Sequence, residues 1–343
     1  MTDVAERGDA SDLARFRRLV TWTIAATSVL ILIGGIVRVS DSGLGCGAAG
    51  SGTQGWPLCE GGVVPAATSE SIIEFSHRIA AGIVALLIVA MVWQAARKLR
   101  SHRALLRGSV GAGVLVFVQA GLGGLTVERG LEEELVAAHL GLAMLLIGLL
   151  LLLRRGASPA PRAAPPERTG TLRVVTTVAA TLALATIVAG GYVAGTEKHG
   201  TPNAPAGGQA HVACGTGFSS ASFPGCNGQF PGFGQTELAD VQLTHRALMY
   251  LTAIAVFAMV ALALSQRVSP RAFGLAGLLL VGQIVLGAVN VWAGKHAGLI
   301  VGHLALGTML WSTIVYAGAT LLPASAHSLE RLGGRRAARA AAA

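Results

Sequence analysis

Charge is scarce in this chain. Asp, Glu, Lys and Arg make up 13% of its 343 residues, about half of the roughly 25% usual in soluble domains. With a mean hydropathy of +0.62, that scarcity excludes an ordinary soluble fold. Glutamate is missing from the interiors of the apolar runs, which excludes the carboxylate-rich bundles that hold paired iron ions. Cysteine is rare as well: there are four, all in polar segments between apolar runs.

What the chain does have is long apolar stretches. Eight of them approach the ~20 residues that a membrane-crossing helix needs, at about 19–39, 73–96, 104–126, 135–153, 173–195, 240–264, 271–293 and 298–321. Backbone groups in lipid must be satisfied within the segment, so these runs are read as helices. The first run is too long for the core of a signal peptide and is kept as a span. The expected fold is an all-α membrane protein of eight transmembrane helices.

The net charge of +9 belongs to topology rather than to a nucleic-acid site. All but six of the 26 Lys and Arg lie in the N-terminal arm, in the segments after runs two, four and six, and in the tail. The six exceptions are Arg38, Arg78, Arg129, Lys198, Arg246 and Lys295. The positive-inside rule then places both termini in the cytoplasm of a multi-pass cell-membrane protein, with the cysteine loops on the outer side.

The second half of the chain repeats the first. Glu74-Phe75-Ser76-His77-Arg78 returns as Gln242-Leu243-Thr244-His245-Arg246. Gly34-Gly35-Ile36-Val37 returns as Gly190-Gly191-Tyr192-Val193, and the run Gln119–Val127 as Gln283–Val291. The neighbourhood of His139 returns at His303. Each repeat runs from an inside start to an inside end, so two pseudo-symmetric four-helix bundles, duplicated in parallel, are expected. The first occupies residues 1–153 and the second 173–322; a Pro- and Arg-rich linker (154–172) joins them, and a basic tail (323–343) follows.

Four of the nine histidines, His77, His139, His245 and His303, fall at the outer ends of even-numbered runs. His102, His199, His211, His296 and His327 fall in loops or the tail and read as solvated or loosely packed. A single histidine in a span is more often a hydrogen-bonded packing residue. Four at duplicated positions read as ligands, two per bundle. Zinc would ask for a third protein ligand. Paired imidazoles across a helix bundle suit a haem, one on each face. Arg38, Arg78 and Arg246 lie on the outer rim, where haem propionates would emerge or where a long basic side chain would simply snorkel.

Cys46 and Cys59 share the first outer loop; Cys214 and Cys226 share the second. Pairing within each loop is the simple reading on an oxidising face. Whether Cys46–Cys59 is a staple or a redox couple stays open. Glu74, one turn before His77, can accept a proton, position water or stabilise positive charge. It would also suit a helix N-terminus. Gln242 keeps the shape without the charge, so the chemistry is assigned to the first half and a supporting haem to the second.

These motifs resemble the heme A synthase family over nearly the whole chain. The resemblance rests on Gly34–Arg38, Ser42–Cys46, Trp56-Pro57-Leu58-Cys59, Glu74–Arg78, the His139 region, Leu243–Arg246 and Gly302-His303. It implies a membrane oxidoreductase that converts heme O to heme A by successive hydroxylations of a ring methyl. It implies that His77 and His139 flank the substrate haem, that His245 and His303 hold haem B, and that Glu74 takes part in catalysis. The enzyme that makes heme O and a membrane electron acceptor are the expected partners. The segment Gly47–Gly55 is an insert relative to many members, which bears on the Cys46–Cys59 geometry. Two other readings compete: a bis-histidine, quinol-linked diheme cytochrome, and a non-catalytic haem carrier or assembly factor. The cytochrome explains the four histidines but not the Glu74/Gln242 difference, and a carrier would need no titratable group beside the ligand.

Overall fold

The computed structural model describes residues 2–158, 169–197, 209–294 and 296–322. Most of the linker, the tail, Lys198, His199, Lys295 and His327 lie outside them. The described chain forms eight long helices: α1 (Thr2–Val39), α2 (Ser69–Lys98), α3 (Arg103–Glu128), α4 (Glu133–Gly156), α5 (Gly170–Gly195), α6 (Glu237–Ser265), α7 (Pro270–Trp292) and α8 (Ala297–Thr320). All eight are long and apolar enough to cross a membrane. Side chains such as Trp22, Leu86, Phe117 and Leu278 are about 70% exposed, as expected where lipid replaces water around a multi-pass membrane protein. Among the described residues extended pairing is confined to two isolated bridges, Cys59 with Gly62 and Cys226 with Gln229.

Helix ends follow local chemistry more than hydropathy. Thr68 Oγ1 accepts from the Ser71 N–H at 3.2 Å, and Thr236 Oγ1 accepts from the Ala239 N–H at 3.1 Å. These N-caps start α2 and α6 before their apolar runs begin. Glu70, Glu133, Glu134 and Glu237 occupy first turns, while Arg97, Lys98, Arg154 and Arg155 occupy last turns, each complementing the helix dipole. Pro270 sits at the start of α7, where its missing N–H costs nothing.

The largest departure from expectation is α1. The polar arm does not end the helix; α1 begins at Thr2 and runs without a break into the span. Its inner face buries Leu13, Phe16 and Val20 against Ile88, Met91 and Ala95 of α2 and Leu105 of α3. Asp9 meets His102 Nε2 at 2.9 Å there.

Within the first half α1 packs on α2, α2 on α3, α3 on α4, and α4 back on α1, closing a ring. Helices α5, α6, α7 and α8 close a second ring in the same way. The rings meet through α1, α4, α5 and α8, where Trp311 Nε1 donates to the Met144 carbonyl at 2.9 Å. In each ring the second and fourth helices stand diagonally, so residues on their inner faces look at each other across the interior.

Candidate functional site

Those diagonal helices carry the four histidines. His77 and His245 are the ninth residues of α2 and α6; His139 and His303 are the seventh residues of α4 and α8. His77 lies within electrostatic reach of His139, and His303 within reach of His245. Each half therefore brings its two imidazoles together across a four-helix ring. All four rings are half-buried. The Nδ1 atoms of His77, His139 and His303 are enclosed and make no hydrogen bond. His245 differs: its Nδ1 faces the Thr186 carbonyl at 2.9 Å, a contact that leaves Nε2 as the nitrogen open to a ligand.

The odd-numbered helices support these positions. Gln119 Nε2 donates to the His139 carbonyl at 2.7 Å, and Gln283 Nε2 donates to the His303 carbonyl at 3.1 Å. Gly34, Gly123, Gly190 and Gly287 each lie against the Cε1 edge of one histidine ring. Sequence comparison of the halves marked these stretches as repeated but gave them no role. His211, set aside as a loop residue, belongs to a short 3-10 turn within electrostatic reach of both His245 and His303. His296 is exposed at the start of α8.

Glu74 is 4% exposed. Its Oε2 accepts the Cys46 backbone N–H at 2.7 Å, and its Oε1 is ion-paired with Arg78. Arg78 also donates to the Leu58 carbonyl at 2.6 Å and the Gly55 carbonyl at 2.7 Å. The first loop is thus fastened to α2 by the Cys46 N–H on Glu74 and by two of its carbonyls on Arg78, two side chains that an ion pair within α2 holds together. Its disulfide Cys46–Cys59 is formed, as is Cys214–Cys226 in the second loop. The insert leaves the pairing intact because it folds against α3: Gly50 N–H donates to the Glu128 carbonyl and Gly52 N–H to Glu128 Oε2, both at 3.0 Å.

The second half has the same framework with a different balance of charge. Arg246 is 3% exposed and donates through Nη1 to the Ser222 carbonyl at 2.9 Å and the Gly225 carbonyl at 2.6 Å. Its Nε and Nη2 are buried without partners, as are Gln242 Oε1 and Tyr250 Oη on the same face of α6. Arg38 is engaged elsewhere, on backbone carbonyls. It crosses to the end of α5, where Nε and Nη2 donate to the Ala194 carbonyl at 2.9 and 2.6 Å and Nη2 also meets the Glu197 carbonyl.

The chain matches the model of the family described as cytochrome oxidase assembly protein over residues 17–315. It belongs to that family. It is also similar to proteins named heme A synthase. The one from Shouchella clausii is 31% identical over 314 residues, covering 88% of this chain and 95% of that protein. The one from Alkalihalophilus pseudofirmus is 29% identical over 305 residues, covering 84% and 91%. A third, from Symbiobacterium thermophilum, is 35% identical over 145 residues, covering 41% and 45%.

The donor set suits a group that asks for two imidazoles. Among the described residues no His, Cys, Asp or Glu cluster of three or more could hold a bare metal ion. None of the described hydrogen bonds engages Nε2 of His77, His139 or His245. His303 Nε2 lies 3.2 Å from Gln283 Nε2, a contact that a ligand at that nitrogen would replace; with that exchange a haem, which takes one imidazole on each face, fits both pairs.

Proposed function

We propose that the chain is a membrane oxidoreductase that converts heme O to heme A, with the reaction in its first half. The observation that carries this reading is the unequal pair of sites. Two diagonal histidine pairs share one framework, but a carboxylate stands one turn from the ligand only at His77. A diheme electron carrier needs no such difference. The family match and the printed names of the relatives favour the same conclusion.

In this reading His77 and His139 clasp the substrate haem. His245 and His303 hold a resident haem B, which supplies one-electron redox capacity when bound. The ring methyl takes one oxygen from water and becomes a formyl group, releasing four protons and four electrons to a membrane acceptor. With two histidines on the substrate, dioxygen would need one of them to leave, so this reading takes water as the oxygen source. Glu74, held in place by the Cys46 N–H and Arg78, takes a proton from that water. The first loop closes the site from above. Arg246, with two buried nitrogens to offer, is the arginine suited to a haem propionate; Arg38 and Arg78 hold backbone carbonyls.

The distribution of Lys and Arg puts both termini in the cytoplasm and both histidine sites toward the outer face. The matching local contacts of the two rings support a duplicated, pseudo-symmetric pair of four-helix halves. Heme O is apolar and reactive, so direct handover from the enzyme that makes it is the expected route of supply.

The test is mass analysis of haem extracted from the protein purified from cells that also make heme O. Hydroxylated heme O or heme A beside haem B supports the proposal. Haem B alone at both sites refutes it in favour of the electron carrier.

A further inference from the structure

The histidine rings meet glycine at all four sites. A Cβ built on Gly34 of α1 would lie 3.1 Å from His77 Cε1, and one on Gly123 of α3 would lie 3.2 Å from His139 Cε1. On Gly190 of α5 it would lie 3.0 Å from His245 Cε1, and on Gly287 of α7 3.0 Å from His303 Cε1. Ordinary carbon contacts optimise at ~3.5–4.0 Å, so each ring occupies space that any other residue would claim. The approach is the same each time: Cε1 is nearest, and both ring nitrogens lie farther off, between 3.3 and 4.0 Å. The neighbouring small residues do something else. Gly35 faces Leu304 of α8, Gly124 faces Trp56 of the first loop, and Gly191 faces Ala137 and Leu140 of α4. Close packing against a neighbouring helix or loop accounts for these second glycines; the first ones face histidine.

A histidine ring turns about a broad terminal torsion, so its rotamer does not fix its plane. A hydrogen bond to Nδ1 usually does so, but only His245 has one here. For His77 and His139 the bare backbone of the facing glycine is then the stop against which the ring rests; at His245 it acts beside the Thr186 carbonyl, and at His303 beside Gln283 Nε2, 3.2 Å from the ring Nε2. We propose that Gly34, Gly123, Gly190 and Gly287 are positioning residues that set the plane and depth of the four ligand imidazoles. The proposal rests on the reading of those histidines as haem ligands. A methyl group at any of the four positions pushes its ring by a few tenths of an ångström and tips it away from its bound orientation.

The experiment uses the full chain, purified with its haem, in Gly190→Ala and Gly34→Ala forms. Gly82→Ala and Gly121→Ala serve as controls, since a Cβ at either control position meets nothing within 4 Å. The readouts are the electron paramagnetic resonance g-values, the reduction midpoint and the haem content of each site. Loss of a contact that orients a ligand lowers affinity ~10–100-fold. Gly190→Ala is expected to shift the signal and potential of the resident haem, or to lose it to that extent. Gly34→Ala should leave that resident signal untouched and perturb only the occupant of the first site. The controls should match the parent. Parental g-values and potential in Gly190→Ala overturn the proposal. So does equal damage from Gly121→Ala, or loss of both haems from either glycine variant, because each of these marks general helix packing. His245→Ala is measured alongside: if the resident haem keeps its parental g-values and potential, the ligand assignment has failed, independently of the glycines.

Discussion

Glu74→Gln copies into the first half what the second half already has, and it separates chemistry from architecture. The carboxylate and its partner Arg78 are buried, with side chains 5% and 15% exposed. Removing one partner of a buried pair usually costs about 3–5 kcal/mol. Here the loss is smaller. Arg78 keeps the Leu58 and Gly55 carbonyls, and the new amide oxygen can still accept the Cys46 N–H. What disappears is the charge-assisted part of one contact, about 1–3 kcal/mol. The variant should therefore fold, keep its disulfides and retain haem at both sites. Its chemistry should fall much further, by the ~10²–10⁴-fold that a positioned proton acceptor contributes. The assay pairs thermal unfolding in detergent with mass analysis of extracted haem over time. Product formed within a few-fold of the parent rate would refute the catalytic role. If substrate haem vanished together with product, Glu74 would be the clamp on the first loop and not the proton acceptor.

Three further perturbations probe the same framework. Gln242→Glu gives the orphaned nitrogens of Arg246 an acceptor, so haem-stripped protein should gain about 1–2 kcal/mol against heat without gaining product; a lower melting temperature would contradict the buried, unpaired state of Arg246. Replacing Cys46 and Cys59 together by Ser opens a loop spanning 13 residues, worth about 3 kcal/mol; hydrogen exchange at the first loop and the α2 start should quicken while the second loop is unchanged, and unchanged exchange at the first loop would show that Arg78 alone secures it. Arg38→Gln removes donors to the Ala194 and Glu197 carbonyls and should cost about 2 kcal/mol with the resident haem spectrum preserved; loss of that spectrum would mean Arg38 serves the haem directly.

The residues that could be placed from sequence were those whose message is depth in the membrane. Apolar runs give spans, and a repeated histidine at a matched distance from a span end gives a level. Cysteines 13 and 12 apart in two loops gave their pairing. Direction is a different matter. Arg38, Arg78 and Arg246 read alike as rim arginines. Yet the first crosses 156 residues of chain to reach Ala194, the second ties down a loop, and the third keeps two buried nitrogens without partners. The α1 arm was missed because polarity does not end a helix; only a breaker or a cap does, and one apolar side of the arm buries Leu13 and Phe16. The glycines opposite the histidines were visible as repeats, but a small residue in a span usually means helix packing. Its partner shows only when the neighbouring helix is in place.

On the proposed function, the charge balance of the two halves says why one site would suit a visitor and the other a resident. In the first half Glu74 neutralises Arg78, whose other described contacts are carbonyls of the first loop. Such a site can empty and refill without leaving a buried charge exposed to the membrane. In the second half Gln242 replaces the acid, and among the described residues no carboxylate pairs with Arg246. A guanidinium buried to 3% exposure without a counter-charge carries a penalty of several kcal/mol. Tyr250, on the same face and within electrostatic reach of Arg246, adds a second unpaired polar group. Emptying that site leaves the penalty in place, and filling it with a group that bears a carboxylate relieves it. On the proposed function the second half therefore gains stability when loaded, while the first half has no such buried charge to relieve. An enzyme whose substrate and product are both haems needs that division, because the group it transforms must leave and the group that assists must not.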